Sequence, residues 1–384
     1  MMVFIAAGLC GMTWRGAESG FPWSFPRDHW PHPEYASEWW YFTGHLEDVD
    51  DPRRRFGYQF TVFRVGLVPP ADPPAGHQSD PGRAGIANTG AGMESSRWAS
   101  RQLFMGHAAI GDLQKGEHHF SDLLYREMPL LAGFADPGEP LIAWSRGPAG
   151  TDAQWTLRWN GQGFDMSMSD QARGMALDLT TRPTRPLVFQ GPGGLSRKGQ
   201  DGKAASLYYS FTRLATEGQL TLGESTWKVS GTSWMDKEFS STQLSSGQVG
   251  WDWMALQLND GRDLMLYLLR RADGSIDFRN ATLVQADGPA TYLNPEQWSL
   301  RVLDRWTSAA TGADYPARWR LEIVDEGLSV EIVPAFADQE NVAERSAGLF
   351  YWEGAVQVLD TTGQAVGRGY VELTGYGEGN RPPL

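Results

Sequence analysis

The segment SGTSWMDKEFS, residues 230–240, combines two carboxylic acids with aromatic rings at strand spacing. On a β-strand successive side chains point to opposite faces, so Trp234, Asp236 and Glu238 are predicted to share one face. The opposite face carries the alternate residues Met235, Lys237 and Phe239. The segment GWDW, with Trp251 and Trp253, follows soon after. Together these residues predict an acid–aromatic patch.

Such a patch suits general acid catalysis if it is buried. Removal from water raises the pKa of a carboxyl group by up to several units, and a second carboxyl such as Glu238 raises it further. Asp236 would then keep its proton near neutral pH and could donate it. Surrounding aromatic faces could stabilise a cationic intermediate by about 0.5–2 kcal/mol each. A structural alternative pairs Asp236 and Glu238 with Lys237 or with a buried arginine.

A second stretch of the same kind, SEWWYFTGHL at 37–46, places Glu38 beside two tryptophans and a tyrosine. The preceding residues contain a His-x-x-His-x-Glu spacing, but their prolines prevent the helix that usually aligns such metal ligands. No metal or other cofactor is predicted. The segment is interpreted as an extended strap that covers a barrel mouth. Glu38 is expected to hold the strap by hydrogen bonds, and Glu38 and Trp40 are also candidates for substrate binding.

Other catalytic motifs are weak or missing from the sequence. There is no Gly-x-Ser-x-Gly turn between a strand and a helix, and no glycine-rich phosphate loop before a helix. Because no nucleophile–base pair is visible, hydrolysis is the least favoured reaction. The segments DQE at 338–340 and YWEG at 351–354 repeat the acid-and-aromatic theme, and each taken singly is interpreted as structural.

Alternating strand patterns predominate, and long helical periodicity is absent from the sequence. Three markers recur in the same order in the two halves: a Trp-rich strand followed by a strand that ends in arginine (Arg64, Arg270), a Trp-x-Leu hairpin (Trp155, Trp319), and a closing aromatic pair (Tyr209 and Trp227, Tyr351 and Tyr370). Such internal repetition indicates two copies of one antiparallel unit.

The predicted fold is all-β, with two consecutive antiparallel β-barrels that meet near residues 218–231. We predict an N-terminal segment at 1–20, a first barrel at 21–217 and a second at 218–384. The patch of Asp236 would be buried if its face points into a barrel. The region 69–96 is rich in Pro, Gly, Ser and Asp, and is predicted to be an insertion without a core of its own.

Composition excludes several partners. The 384 residues carry a formal net charge of −13, and a nucleic-acid partner is excluded because phosphate binding needs a concentrated positive surface. Cys10 is the only cysteine, so an intrachain disulfide is excluded. Its segment MMVFIAAGLC is too short to span a bilayer but resembles the end of a signal peptide, which favours export over a disordered N-terminus. No transmembrane segment is predicted.

The combined motifs resemble those of the AttH-like, carotenoid-hydratase-like family over nearly the whole chain after Phe21. They are FPRDHWPHPEYASEWWYFTGHL, FGYQFTVFR, YYSFTRL, SGTSWMDKEF, GWDWMALQL, DQE, YWEGAV and GYVELTGY. The resemblance implies two lipocalin-like barrels and acid-catalysed hydration of an isoprenoid double bond. The aromatic-x-Asp motif that supplies the acid falls on Trp234 and Asp236. A His-x-aromatic pair falls on Leu207 and Tyr209, so the histidine is replaced.

Two functions of different classes follow from these observations. The first is a hydratase or isomerase acting on a long apolar, isoprenoid or lipid-like substrate, with Asp236 as proton donor and Glu238 positioning it or activating water. Trp234, Tyr209, Trp251 and Trp253 would then line the pocket. The alternative is an exported, periplasmic or secreted lipid carrier, because lipocalin-like barrels commonly hold one apolar ligand.

Deletion of residues 69–96 is predicted to leave the melting temperature within a few degrees of the parent value, because this composition offers almost no apolar surface to a core. Thermal unfolding followed by circular dichroism measures the change. Loss of cooperative unfolding in the deletion variant would show that the insertion packs against the core.

Overall fold

The computed structural model of the protein describes residues 13–70, 100–200, 202–346, 348–377 and 380. The N-terminal segment with Cys10 lies outside the described residues, as does the predicted insertion at 69–96 apart from its first two residues. Within the described ranges, no helix has the length and apolar character needed to cross a membrane.

Among the described residues, those between 37 and 242 form a 13-stranded antiparallel sheet. Its strands are β1 (Ser37–Asp48), β2 (Arg55–Gly66), β3 (Gln102–Asp112), β4 (Glu117–Arg126), β5 (Ala132–Phe134), β6 (Leu141–Arg146), β7 (Gln154–Trp159), β8 (Phe164–Asp170), β9 (Met175–Pro183), β10 (Val188–Phe189), β11 (Leu195–Arg197), β12 (Ala205–Leu222) and β13 (Ser225–Thr242). The main path runs β4-β3-β2-β1-β13-β12-β9-β8-β7-β6-β5.

The described residues between 248 and 373 form a 10-stranded sheet with the path β17-β16-β15-β14-β23-β22-β20-β19-β18. Its strands are β14 (Gln248–Leu258), β15 (Asp263–Arg271), β16 (Ile276–Val284), β17 (Ala290–Leu293), β18 (Ser299–Thr307), β19 (Asp314–Ile323), β20 (Leu328–Pro334), β21 (Glu340–Ala343), β22 (Leu349–Leu359) and β23 (Ala365–Leu373). In the part of the chain that the structure describes, the helical turns are short 3₁₀ segments at Arg27–His29, Pro192–Gly194, Pro295–Gln297 and Val324–Glu326. The all-β prediction is confirmed.

Both sheets have the same central arrangement, as two lipocalin-like barrels require. In the first, β1 pairs with β2 on one side and with β13 of the β12–β13 hairpin on the other. In the second, β14 pairs with β15 and with β23 of the β22–β23 hairpin. The Trp-x-Leu marker, on β7–β8 in the first sheet and β19–β20 in the second, fits less well. In the second sheet β20 pairs directly with β22, whereas in the first sheet β9 lies between β8 and β12.

The change from one sheet to the other lies at residues 243–247 rather than at the expected 217/218. The expected boundary falls inside β12, which continues to Leu222. Strand β13 then pairs with β1 from Ser240 to Val229, so the whole β12–β13 hairpin belongs to the first sheet. A sequence repeat does not reveal this closure, because it depends on pairing between strands nearly two hundred residues apart.

Strand alternation gives each barrel an apolar interior. On β1, Trp40, Phe42 and Leu46 point into the first core, and on β14, Met254 and Leu256 point into the second. The alternate residues of these strands face the other barrel. Tyr41, Tyr208 and Trp234 of the first barrel meet a set from the second in a separate buried cluster: Trp253, Ala255, Met265, Tyr267, Leu269, Ala355 and Tyr370.

The two barrels approach closely along these central strands. A Cβ atom at Gly57 would lie 2.9 Å from the Cβ atom of Ala355 in the other barrel, so only glycine fits there without a shift. Polar contacts also cross the interface. The Arg213 Nε atom donates to Asp263 Oδ1 at 2.8 Å, and the Tyr41 hydroxyl donates to Glu353 Oε1 at 2.5 Å. These contacts fix one barrel against the other.

The strap before β1 is held by a buried charge cluster around Glu38. Arg64 Nε donates to Glu38 Oε2 at 2.9 Å, and the backbone N–H of His32 donates to the same oxygen at 2.9 Å. The ammonium group of Lys237 donates to Glu38 Oε1 and lies 3.3 Å from the centre of the Trp40 ring. Glu38 is thus fully satisfied inside the first barrel, as expected for a residue that holds the strap.

Replacement of Glu38 by glutamine is expected to lower the free energy of unfolding by about 3–5 kcal/mol, because it leaves buried cations without their partner. Urea denaturation measures the change, and Glu217→Gln on the exposed side of β12 is the matched control. An equal effect of both variants would show that the cluster contributes nothing.

The loss should also depend on pH. Burial by itself would raise the pKa of Glu38, but Lys237, His32 and Arg64 hold it below its ordinary value of 4.5. A lowered carboxyl pKa stabilises the fold above the unfolded-state pKa, and this stability disappears as pH falls through the folded-state pKa. The difference between the parent protein and Glu38→Gln should therefore shrink as the pH falls below about 4.5.

Candidate active site

A cleft between the two barrels contains the predicted acid. The cleft encloses about 700 Å³ of empty space, counting the part open to solvent. Aromatic rings form much of its wall: Trp39, Tyr41, Phe63, Tyr208, Trp251, Trp253 and Tyr267. Its carboxyl and amino groups are those of Asp236, Glu238, Glu372 and Lys198. The site is therefore an aromatic slot with carboxyl groups on the walls of both barrels.

Strand β13 presents the acid to this cleft through its alternation. Trp234, Asp236 and Glu238 share one face, as predicted, but this face points out of the first barrel rather than into it. Met235 and Lys237 occupy the interior positions. Burial of Asp236 therefore comes from the second barrel, which covers the outer surface of the first. A single sheet could not have provided it.

The Asp236 carboxyl group accepts hydrogen bonds from three side chains. The Ser210 hydroxyl and the Trp234 indole N–H donate to Oδ1 at 2.5 and 2.7 Å. The Tyr208 hydroxyl donates to Oδ2 at 2.5 Å and itself accepts a hydrogen bond from Trp253 Nε1 at 3.1 Å. Ser210 of β12 pairs directly with Asp236 of β13, so the register of the hairpin sets this geometry. The carboxyl group is held in one orientation.

Burial raises the pKa of Asp236 to about 7, against the opposing effect of the hydrogen bonds from Ser210, Tyr208 and Trp234; the nearby Glu238 also raises it. Near neutral pH a substantial fraction of Asp236 is therefore protonated. Because Oδ1 accepts two of the hydrogen bonds and Oδ2 only one from the described residues, the proton is best accommodated on Oδ2. A carboxylic acid in this state is a competent proton donor.

Glu238 has a different electrostatic environment although it lies on the same strand face. Lys198 Nζ is 2.7 Å from Glu238 Oε1, and the Ser206 hydroxyl donates to the same oxygen. Burial would lower the pKa of Lys198, but Glu238 and Tyr267 raise it above its ordinary value. Lys198 therefore stays charged, and Glu238 is its counterion. This pair corresponds to the structural alternative, with a lysine that the sequence analysis did not name.

Two of the three tryptophans that were predicted to line the pocket do so. Trp251 and Trp253 line the cleft. Trp234 donates its N–H to Asp236, and its ring packs edge-on against Trp253 with centroids 6.5 Å apart. Trp234 is not among the residues that line the cleft, and it positions the acid from behind.

Three other predicted substrate-binding residues do not line the cleft. Tyr209 pairs with Lys237 across β12 and β13, so it points into the first barrel, where its hydroxyl lies 2.7 Å from His29 Nδ1. Glu38 and Trp40 also point into that interior. These three residues do not share a cavity with Asp236, because strand alternation puts them on the opposite face of the sheet.

The structure adds residues that sequence reasoning missed. Tyr208, not Tyr209, faces the cleft and contacts Asp236. The cross-strand position of Tyr208 opposite Glu238 would have shown this, but it requires the register. Glu372 belongs to the segment GYVELTGY, which marks the repeat and the family resemblance but in the sequence offers no sign that its glutamate enters a site. Within the described residues, no group of three or more His, Cys, Asp or Glu side chains is arranged to hold a metal ion.

Fold and site together define an all-β protein with a buried acid between two barrels. The profile of the AttH-like family matches residues 16–376, so the chain belongs to the AttH-like family. A Nitrosomonas europaea protein designated AttH has a similar crystal structure, with 30% sequence identity, a TM-score of 0.76, and coverage of 94% of this chain and 99% of that one.

A second solved structure shows the same fold at lower sequence identity. It is kievitone hydratase from Nectria haematococca, with 15% identity and a TM-score of 0.61 over 94% of this chain and 95% of that one. Among curated proteins, none matches the chain.

Replacement of Asp236 by asparagine should change the pH dependence of stability. In the parent protein, folded Asp236 keeps its proton up to about pH 7, whereas the unfolded residue loses it near 3.8. The free energy of unfolding of the parent should therefore fall as pH rises through this window. Asp236→Asn has no carboxyl group at this position, so it should not show this fall. Relative to the parent, the variant should gain stability between pH 4 and 7.

Urea denaturation at several pH values measures this difference, with Asp178→Asn on the exposed side of β9 as the control. A difference between Asp236→Asn and the parent that stays constant with pH would mean that Asp236 is ionised throughout.

Proposed function

We propose that the protein is a hydratase-type enzyme acting on an apolar, alkene-bearing small molecule in the cleft between its barrels. The observation that carries the proposal is Asp236, a buried and oriented carboxylic acid with a raised pKa that faces an aromatic cavity. Membership of a family of this fold and the likeness to a protein named as a hydratase agree with it.

In the proposed reaction, the Asp236 proton is transferred to one alkene carbon. The π electrons form the new C–H bond, and the other carbon becomes a tertiary cation while Asp236 becomes a carboxylate. The faces of Trp251 and Trp253 stabilise the cation by about 0.5–2 kcal/mol each. Water then adds through its oxygen, and loss of its extra proton to a base gives the alcohol. Glu238 and Lys198 balance charge beside Asp236.

The wall of the cleft indicates the substrate class. Rings from both barrels line the slot, and such surfaces bind flat or extended hydrocarbon. We therefore favour an isoprenoid or lipid-like substrate. Leu207, which replaces the histidine of the carotenoid hydratases, packs with Tyr35 and Phe239 away from the cleft. It is not in a position to contact a substrate held at Asp236.

The proposal can be tested by incubation of the protein with a panel of acyclic isoprenoid and prenylated aromatic alkenes in ¹⁸O-labelled water. Mass spectrometry should find a product heavier by one labelled water. An isomerase would instead give a product with the same mass as the alkene in ordinary or ¹⁸O-labelled water. In D₂O this product would contain deuterium. A carrier, the alternative function, would return a bound compound unchanged, and this result would reject the enzymatic proposal.

Replacement of Asp236 by asparagine removes the proton but keeps the shape, so it should reduce turnover by about 10²–10⁴-fold while changing ligand affinity little. Trp234→Phe should cost less, because a ring still packs there although its hydrogen bond to Asp236 is lost. Asp178→Asn is the control. Turnover by Asp236→Asn equal to that of the parent would exclude Asp236 as the acid.

A further inference from the structure

The internal duplication gives Asp236 a counterpart in the second barrel. On the first sheet, Asp236 of β13 pairs with Tyr41 of β1. On the second sheet, Glu372 of β23 pairs with Trp253 of β14. Since β14 and β23 hold the places in their sheet that β1 and β13 hold in the other, Glu372 occupies the position of Asp236 in the repeated unit.

The neighbouring strand extends the correspondence. Ser210 of β12 lies across from Asp236, and Glu353 of β22 lies across from Glu372. Because the barrels pack through these same central strands, the two equivalent carboxyl groups enter one cleft. The repeat therefore builds a site with one acid from each barrel.

We propose that Glu372 is the second catalytic carboxyl group of the cleft, where its carboxylate stabilises a bound cation and accepts the proton of the attacking water, and that Glu353 is a positioning residue behind it. The catalytic part rests on the proposed hydratase function. Recognition of a cationic ligand by the Glu372 carboxylate and the aromatic faces does not depend on that function, and it can be tested separately.

Access and environment both suit Glu372 to this role. It lines the cleft and also an adjoining cavity of about 460 Å³ that shares Phe63 and Trp251 with the cleft. Burial raises the pKa of Glu372 to about 7, opposed by a hydrogen bond with the Trp251 side chain and assisted by Asp236 and Glu238. Glu372 can therefore gain or lose a proton near neutral pH.

Of the two adjacent carboxyl groups of Glu353 and Glu372, Glu353 is the one that keeps its proton. Burial raises its pKa well above the ordinary value; the nearby Glu372 raises it further, and the hydrogen bond from Tyr41 opposes this. Its Oε2 atom is buried and has no hydrogen-bond partner among the described residues. Two adjacent buried carboxyl groups do not both ionise readily. Glu353 thus retains the proton, and the charge falls on Glu372, which faces the ligand.

Glu238 is the other carboxylate in the cleft, but its geometry fits a counterion better than a base. Lys198 balances its charge, and Lys198 and the Ser206 hydroxyl both occupy its Oε1 atom. No lysine or arginine forms an ion pair with Glu372 among the described residues. The titratable and charged groups around the cavities that Glu372 joins are Asp236, Glu238, Lys198, His107, Tyr41, Tyr208, Tyr267 and Tyr351, with Glu353 behind them.

The proton balance of the cycle closes with these two acids. Asp236 gives its proton to the alkene, water oxygen bonds to the cation, and the Glu372 carboxylate takes the surplus water proton. After one turnover Asp236 is ionised and Glu372 is protonated. Transfer of that proton back to Asp236 through water in the cleft restores the starting state, and the net change is addition of one water to the alkene.

Decyltrimethylammonium and decanol are probes that test the cationic part without knowledge of the substrate. They share a chain length and differ in charge, so the ratio of their affinities reports recognition of the cation. Isothermal titration calorimetry below the aggregation concentration should show tighter binding of the ammonium compound at pH 8. The preference should decline toward pH 5.5, with a midpoint near 7, as Glu372 and Asp236 become protonated.

Glu372→Gln should reduce affinity for decyltrimethylammonium at pH 8 by about tenfold or more and leave decanol binding unchanged. Glu322→Gln, at an exposed position on β19, should behave like the parent. Glu353→Gln should leave the midpoint near 7, because glutamine is uncharged like the protonated Glu353 side chain. A midpoint that moves to lower pH in this variant would show that Glu353 carries the charge in the parent protein, and would overturn the role assigned to it.

Equal affinity of the parent for the two probes, no binding of either, or an equal loss of both in Glu372→Gln would overturn the inference. With an alkene that is turned over, Glu372→Gln should also raise the proportion of isomerised over hydrated product, because the cation forms but water attack is slowed. If Asp236→Asn does not lower turnover, the hydratase proposal is rejected. The inference that Glu372 recognises a cationic ligand is not affected, because the probe measurements do not depend on turnover.

Discussion

Strand β13 carries ionisable groups on both of its faces, and the rest of the structure depends on how they are covered. Lys237 points into the first barrel, whereas Asp236 and Glu238 point out of it. A charge removed from water without a partner costs several kcal/mol, so each face needs an element that supplies partners or lets the group become neutral. Glu38 and the strap cover the inner face. The second barrel covers the outer one.

The two acid–aromatic stretches show that residue type alone does not define the state of a carboxyl group. Glu38 and Asp236 are both buried beside tryptophan. Glu38 contacts Lys237 and Arg64, so the charged form is favoured. Asp236 receives hydrogen bonds from neutral donors only, and burial keeps its pKa near 7. One carboxylate therefore anchors the strap, while the other can exchange a proton in the cleft.

Duplication explains why the site lies between barrels rather than inside one. Each barrel core is filled by side chains, and the outward-facing rings of the central strands would be an exposed apolar patch in a single copy. Packing of the copies through these strands buries the patch and leaves a slot where the rings do not fill the space. Asp236 and Glu372 enter that slot because they hold equivalent positions on equivalent strands.

The sequence by itself determined the all-β class, the repeated unit and the grouping of Trp234, Asp236 and Glu238 on one strand face. These depend on short-range alternation and on spacing along the chain. Only the tertiary structure decided which face is covered, and by what. The register of β12 against β13 selected Tyr208 over Tyr209, and packing between the barrels brought Glu372 into the same cleft as Asp236. These choices depend on contacts between residues far apart in the chain, which local patterns do not encode.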